Sequence, residues 1–91
     1  MHPQDLAKKY DAKVFDSTQA AESAGYTLGQ TMTPRNAWNR DSAAQSIFYE
    51  LLRRKRGGEV SEIGLVLDGN TVAGVFKKGE AATPKESEVG S

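Results

Sequence analysis

The chain has 91 residues, of which 37% are hydrophobic, and its 12 basic and 12 acidic residues give a formal net charge of zero. This length predicts one small domain with a modest core. The chain contains no cysteine and only one histidine, His2, so disulfides and cysteine-based zinc sites are excluded and a histidine-based site is not expected. No apolar run approaches the roughly 20 residues that span a membrane, and no secretory leader pattern precedes the fold. We therefore expect no cofactor and no membrane partner, and a cytoplasmic location is the simplest interpretation.

The N-terminal third predicts two short helices joined by an extended link. The first helix covers residues 3–12, and Pro3 suits its first turn. Leu6 and Tyr10 lie four residues apart and would share one face of it. Lys13–Phe15 follows as the extended link.

The second helix is predicted to begin at residues 16–18. Aspartate, serine and threonine stand there, and their side chains can accept hydrogen bonds from the amides of the first turn. Gly25 suits the left-handed position just past the helix end. Residues 26–32 then alternate apolar and polar side chains, which favours extended structure or a packed loop.

A long helix is predicted in the middle of the chain. Its apolar residues recur at spacings of three and four, which is typical of a helix with one buried face; they are Ala44, Ile47, Phe48, Leu51 and Leu52. Thr33 and Pro34 form a good helix start, so the helix would cover residues 34–56. Asp41 is a second good cap, and a helix in two pieces is therefore an alternative.

A β-hairpin is predicted at residues 63–76. Residues 68–70, Asp-Gly-Asn, suit a tight turn between two apolar strands. The interior Gly74 indicates a bulge or a close backbone contact. Residues 79–91 lack apolar periodicity and are predicted to form a disordered tail, so the single domain would cover residues 1–78.

Two basic segments make nucleic acid a candidate partner. Residues 33–40 hold arginine and asparagine, which match guanine and adenine edges, and no acidic residue lies between Gly25 and Asp41. Residues 53–56 form a basic helix end, which either contacts phosphate or only complements the helix dipole. Lysine at the hairpin end either touches phosphate or protects a strand edge. The candidate nucleic-acid-binding residues are Arg35, Asn36, Asn39, Arg40, Arg53, Arg54, Arg56 and Lys77.

Aromatic residues supply an alternative, an interface with a protein. Trp38 is the only tryptophan in the chain, and together with Tyr49 and the hairpin edge it would contact the partner. Large aromatic residues are also the usual core anchors of a domain this small. The exposure of Trp38 distinguishes these two interpretations.

No reaction chemistry is indicated. The carboxylates of Glu59 and Glu62 lie in a glycine-rich connector without an indicated pocket, and no serine has a recognisable base. We therefore expect the protein not to be an enzyme, and we assign no catalytic residue and no metal ligand.

The element order resembles that of a winged helix-turn-helix protein across residues 3–78. In this resemblance Lys13–Phe15 is the first strand, residues 34–56 are the recognition helix and residues 63–76 are the wing. Residues 25–33 depart from it, since they are longer than the usual turn. The predicted fold class is a small α+β domain with two short N-terminal helices, one long helix and a C-terminal β-hairpin.

The leading functional hypothesis is a small non-enzymatic regulatory protein that binds duplex DNA through the basic helix and the hairpin. The alternative is a protein-binding inhibitor or adaptor, of the kind carried by phages and other mobile elements. A homodimer that pairs two long helices is a third alternative.

Overall fold

The computed structural model of the chain describes residues 2–79, which contain three helices and four strands. In chain order the elements are α1 (Pro3–Lys9), β1 (Lys13–Phe15), α2 (Thr18–Ser23), β2 (Thr27–Met32), α3 (Ala37–Arg56), β3 (Val60–Asp68) and β4 (Thr71–Lys78). The strands form one mixed sheet in the order β1-β3-β4-β2, in which β1 is parallel to β3 and the other neighbours are antiparallel. The predicted α+β class is confirmed. None of the helices within residues 2–79 is long and apolar enough to cross a membrane.

The predicted hairpin is confirmed as strands β3 and β4. Asp68 pairs with Thr71, so the turn has two central residues, Gly69 and Asn70. Gly69 takes a φ of 61°, a left-handed conformation that is open to glycine because it has no Cβ. Both strands extend beyond residues 63–76, and the hairpin forms the centre of the sheet.

Helices cover both faces of the sheet. On one face α3 and α1 bury a cluster made of Leu6, Ala44, Ile47, Phe48, Leu51, Leu52, Val60, Ile63, Leu65 and Val72. On the other face α2 packs on a smaller cluster made of Ala21, Tyr26, Val66, Ala73 and Val75. Neighbouring residues of β3 and β4 point to the two clusters in turn, as the period of two in a strand requires. The apolar stripe predicted on the long helix is buried along its whole length.

Gly74 marks a close approach between α3 and the sheet. A Cβ built on Gly74 would lie 2.5 Å from Ile47 Cγ2 and 2.9 Å from Leu51 Cδ1. Carbon atoms in contact prefer about 3.5–4.0 Å, so this position leaves no room for a side chain. The close contact predicted at Gly74 is confirmed, and the element that approaches is a helix.

α3 is one continuous helix, but it begins at neither predicted residue. Asn36 is its N-cap, and the Asn36 side-chain oxygen accepts a hydrogen bond from the backbone N–H of Asn39 at 2.9 Å. The predictions of a start at Pro34 or at Asp41 are therefore wrong. The chain must cross from the end of β2 at Met32 to the helix layer before α3 can begin. Asn36 stands at the end of this connection and therefore becomes the N-cap.

The ambiguous residues 26–32 contain a strand, β2, at the edge of the sheet beside β4. Between Leu28 and Thr31 this strand has one residue more than β4, which is a bulge. Because β2 separates α2 from α3, these helices are not joined by the short turn of a helix-turn-helix. The winged-helix resemblance is therefore not confirmed, although β1 does pair with the hairpin.

α1 is shorter than predicted and ends at Lys9. After it, the N–H of Ala12 donates to the carbonyl of Ala7 at 2.7 Å, which closes the helix end. Asp11 takes a φ of 55° there, a left-handed conformation that glycine and asparagine fill most readily. Its carboxylate also follows the negative end of the helix dipole, where a negative charge is unfavourable.

We expect the substitution Asp11→Asn to raise the free energy of unfolding by about 0.3–1 kcal/mol. Asparagine tolerates the left-handed conformation, and the substitution removes the charge. Asp5→Asn is the matched control, because Asp5 lies in the first turn of the same helix, where a negative charge is favourable. Urea unfolding followed by circular dichroism measures both variants. A loss of stability in Asp11→Asn would contradict the explanation given for this residue.

Gly79 is the last described residue and is still attached to the fold. Its backbone N–H donates to the carbonyl of Glu59 at 3.0 Å. The rest of the predicted tail, residues 80–91, lies outside the described residues.

Candidate functional site

The solvent-facing side of α3 carries two exposed aromatic rings. Trp38, Ser42, Gln45 and Tyr49 follow one another at spacings of four, three and four, which places them on one side of the helix. The buried stripe of α3 lies on the opposite side. Trp38 is 82% exposed and Tyr49 is 44% exposed, and their eleven-residue separation corresponds to about 16 Å along the helix. We call these four residues the outer face of α3.

Trp38 borders a shallow groove at the start of α3, and a second groove lies nearby. The first groove is lined by His2, Trp38, Asp41, Ser42 and Gln45. The second is lined by residues of the β2 end, the following loop and α3, namely Met32, Thr33, Pro34, Asn39, Ser42, Ala43 and Ser46. In a domain this small, a tryptophan ring usually contributes its large apolar area to the core. The interpretation of Trp38 as a core anchor is wrong, since its ring lies at the surface.

Two of the four polar residues predicted near the start of the long helix maintain local structure. Asn36 caps α3. Arg40 donates to the Asp41 carboxylate at 3.2 Å and to a carbonyl of the β3–β4 turn at 3.3 Å, so it fastens α3 to the hairpin. The exposed side chains of Arg35 and Asn39 form no hydrogen bond or ion pair with any residue in the range 2–79. Only these two are free to meet a ligand.

The basic side chains at the end of α3 point in different directions. Arg54 turns toward the sheet, where its guanidinium lies 5.1 Å from the centre of the Phe76 ring and pairs with the Glu59 carboxylate. Arg53 faces solvent and pairs at 3.2 Å with a glutamate one turn earlier, an exposed contact of small energetic value. Arg56 is exposed and has no side-chain partner in the part of the chain that the structure describes.

Lys77 belongs to the other face of the sheet. Its ammonium group lies 4.9 Å from the centre of the Tyr26 ring and 3.7 Å from the Glu62 carboxylate. The Tyr26 hydroxyl donates to the same carboxylate at 3.1 Å. The structure therefore does not bring Lys77 together with the arginines of α3. Its alternative role in protecting a strand edge stays a prediction: β4 has a neighbouring strand on each side, but its pairs with β2 end at Phe76, one residue before Lys77.

Burial, followed by the hydrogen bond to Glu62 and the charge of that carboxylate, raises the pKa of Tyr26 above its ordinary value of 10.0. The folded protein therefore holds this proton more tightly than the unfolded chain does. The resulting contribution to stability is fully present below pH 10 and is lost as the pH rises through the folded pKa.

We expect the stability of the wild type to fall more steeply between neutral pH and about pH 11 than that of a Tyr26→Phe variant, which has no phenol proton to lose. Tyr49→Phe is the control, because the Tyr49 ring is partly exposed and forms no contact with Glu62; it should follow the wild type. Denaturant midpoints measured across this range test the expectation. Parallel curves for the wild type and Tyr26→Phe would contradict it.

The carboxylates considered for acid–base chemistry are engaged with neighbours. Glu59 pairs with Arg54, and Glu62 accepts from Tyr26 and lies beside Lys77. Within residues 2–79, no three histidine or acidic side chains are grouped so that they could hold a metal ion.

The surface of β2 carries exposed apolar side chains that the sequence did not indicate. Leu28 and Met32, on this edge strand, are 42% and 40% exposed. Alternation within residues 26–32 favours extended structure or a packed loop, and it does not say whether a strand there would lie at a sheet edge. The predicted protein contact through the hairpin edge stays a prediction: β3 and β4 are both central strands, but β1 pairs with only Gly64, Leu65 and Val66 of β3.

No protein-family model matches the chain, and no curated protein or solved structure matches it either. The outer face of α3, with its exposed Trp38, is the feature from which a function can be argued.

Proposed function

We propose that the chain is a protein-binding module, of the inhibitor or adaptor type, that contacts its partner through the outer face of α3. The observation that carries the proposal is the 82% exposure of Trp38. Tryptophan is enriched among the residues that dominate binding energy, because a ring buried at an interface removes a large apolar area from water. Tyr49, three turns further along the helix, would be the second anchor.

The electrostatics favour a protein over a polyanion as the partner. Arg40 and Arg54 are engaged within the fold, and Lys77 lies away from the outer face. Between the two aromatic residues the outer face carries only the neutral Ser42 and Gln45. Affinity for nucleic acid depends on several cations that are free to neutralise phosphates, and this part of the surface does not gather them.

Capture from a lysate of the source organism tests the proposal. The full chain, immobilised through a tag, is compared with Trp38→Ala and with Val14→Ala, in which an exposed apolar residue of β1 is truncated instead. We expect one protein to be retained after nuclease treatment by the wild type and by Val14→Ala. Retention by Trp38→Ala should fall by about 30-fold or more, the effect of losing a main anchor.

A direct measurement completes this test. Trp38 is the only tryptophan of the chain, so its emission should shift to shorter wavelength when the captured protein is added in purified form and the ring leaves water. Equal retention by Trp38→Ala and the wild type, or the absence of a specifically retained protein, would overturn the proposal.

Binding of duplex DNA is the second candidate function. One observation favours it: Arg53 and Arg56 lie four and seven residues after Tyr49, so they continue the outer face of α3. Arginines beside exposed aromatic rings can contact phosphates while the rings stack on bases. This arrangement would use α3 in the manner of a recognition helix.

Titration with a random-sequence duplex at low salt, followed through the emission of Trp38, tests this candidate. DNA binding predicts an affinity that falls steeply with salt. It also predicts a salt slope that decreases by about one for each of Arg53→Gln and Arg56→Gln. No binding at low salt would eliminate the DNA candidate and leave the protein-binding proposal intact.

A further inference from the structure

β2 is an edge of the sheet that another strand can extend. Within residues 2–79 it pairs with β4 alone, so no strand of this range reaches the backbone groups on its other side. Residues 27–32 contain no charged side chain, and the uncharged run continues on both sides over residues 23–34. Exposed edges usually carry devices that prevent pairing with another chain, such as lysine, proline, short length or a bulge. Of these, β2 itself has only the bulge between Leu28 and Thr31.

The opposite edge differs in each of these respects. β1 has three residues, begins with Lys13 and is followed at once by Asp16. Both α1 and α2 pack against it. The two edge strands of the sheet therefore differ in length, charge and coverage by helices. Of the two, only β2 is a strand of ordinary length without charge.

The apolar side chains of β2 would be covered if another strand were added. Leu28 lies beside Val75, on the sheet face of the smaller cluster, and Met32 lies beside Val72, on the sheet face that α3 covers. Each is about two-fifths exposed, at 42% and 40%. A strand outside β2 would remove apolar area from water on both faces of the sheet.

We propose that two copies of the chain associate by pairing β2 with β2 in antiparallel fashion, so that two four-stranded sheets become one continuous sheet of eight strands. A two-fold axis places the same surface on both sides of such an interface, so a charge near the middle of the strand would lie close to the same charge of the other copy. β2 avoids this repulsion because it has no charge. The outer face of α3 is a separate surface, and the association does not depend on the proposed function.

Sedimentation of the full chain over a range of concentrations tests the association. We expect a dimer that dissociates on dilution. Gln30→Lys puts two like charges near the two-fold axis and should weaken dimerisation at least tenfold. Ser23→Lys is the matched control, since it adds the same charge at an exposed position of α2 and should leave the dimer unchanged. A wild type that stays monomeric up to about 1 mM, or equal effects of the two lysines, would overturn the proposal.

Single introduced cysteines then locate the interface. The natural chain contains no cysteine, so any disulfide must form at the introduced residue. Gln30→Cys and Thr31→Cys, prepared separately, sample neighbouring registers. At least one of them should form a disulfide-linked dimer under mild oxidation, because residues near a two-fold axis approach their own copies within disulfide reach. Ser42→Cys, on the outer face of α3, should not. Cross-linking of Ser42→Cys without cross-linking at β2 would assign the dimer to paired long helices and refute the β2 interface.

Discussion

A Gly74→Ala variant is expected to lose about 1–3 kcal/mol of folding free energy, the usual effect of adding a methyl group to a filled core. The added Cβ would stand 2.5 Å from Ile47 Cγ2 and 2.9 Å from Leu51 Cδ1. Inside a regular element, alanine alone would stabilise the fold relative to glycine, because glycine loses more conformational entropy on folding. A loss of stability in Gly74→Ala would therefore come from the steric contact with α3. Valine at the same position would add two more carbon atoms against α3 and should be worse still.

Urea unfolding measures this loss, and Gly57→Ala is its control. At Gly57 the nearest atoms to a built Cβ lie 3.7 and 3.8 Å away, and φ is −80°, so the substitution should stay within about 0.5 kcal/mol of the wild type. In the double variant with Ile47→Ala the clashing methyl group is gone, and the two substitutions should couple favourably. A Gly74→Ala protein as stable as the wild type would show that α3 does not sit this close to the sheet.

The same contact shows what the sequence could reveal. Gly74 stands out because a glycine interrupts an apolar strand, and the stripe of α3 stands out because its spacing is helical. Both signals are local, although the glycine alone does not distinguish a bulge from a close contact. The hairpin turn at Gly69 is equally local, since only glycine enters its left-handed conformation freely.

The start of α3 and the existence of β2 depend on distant contacts. Thr33, Asn36 and Asp41 are all adequate caps on their own, and local propensity does not rank them. The choice is made by the path from the sheet to the helix layer. β2 likewise pairs with β4, which lies far along the chain, and its bulge interrupts the alternation by which a strand is identified.

The exposure of Trp38 could not be predicted because it also depends on where α3 begins. At 3.6 residues per turn, Ala37 lies about 20° from Ala44 around the helix axis, whereas Trp38 lies about 120° from it. The helical phase therefore places Trp38 off the buried stripe, provided that the helix is known to continue that far. Because the start of the helix was unknown, the angular position of Trp38 on the helix could not be used. Its residue type alone, a large aromatic side chain, favoured a place in the core.

Phe48→Ala is expected to be the most damaging truncation on α3, whereas Trp38→Ala is expected to be harmless to the fold. Phe48 is 0% exposed, lies in the main cluster and has its ring centre 5.8 Å from that of Tyr10. Removing a buried phenylalanine usually costs about 3–5 kcal/mol, a large part of the roughly 5–15 kcal/mol that stabilises a domain. Trp38 is 82% exposed, so its removal should change stability by less than about 0.5 kcal/mol.

The two truncations should therefore have opposite consequences for folding and for binding. Thermal unfolding followed by circular dichroism, which does not depend on the tryptophan signal, gives the stability of both variants. Phe48→Ala should melt well below the wild type, yet its remaining folded fraction should retain the partner protein because the outer face is intact. Trp38→Ala should melt with the wild type and lose the partner. Similar melting losses in both variants would place Trp38 in the core, and the surface proposed for binding would then have no anchor.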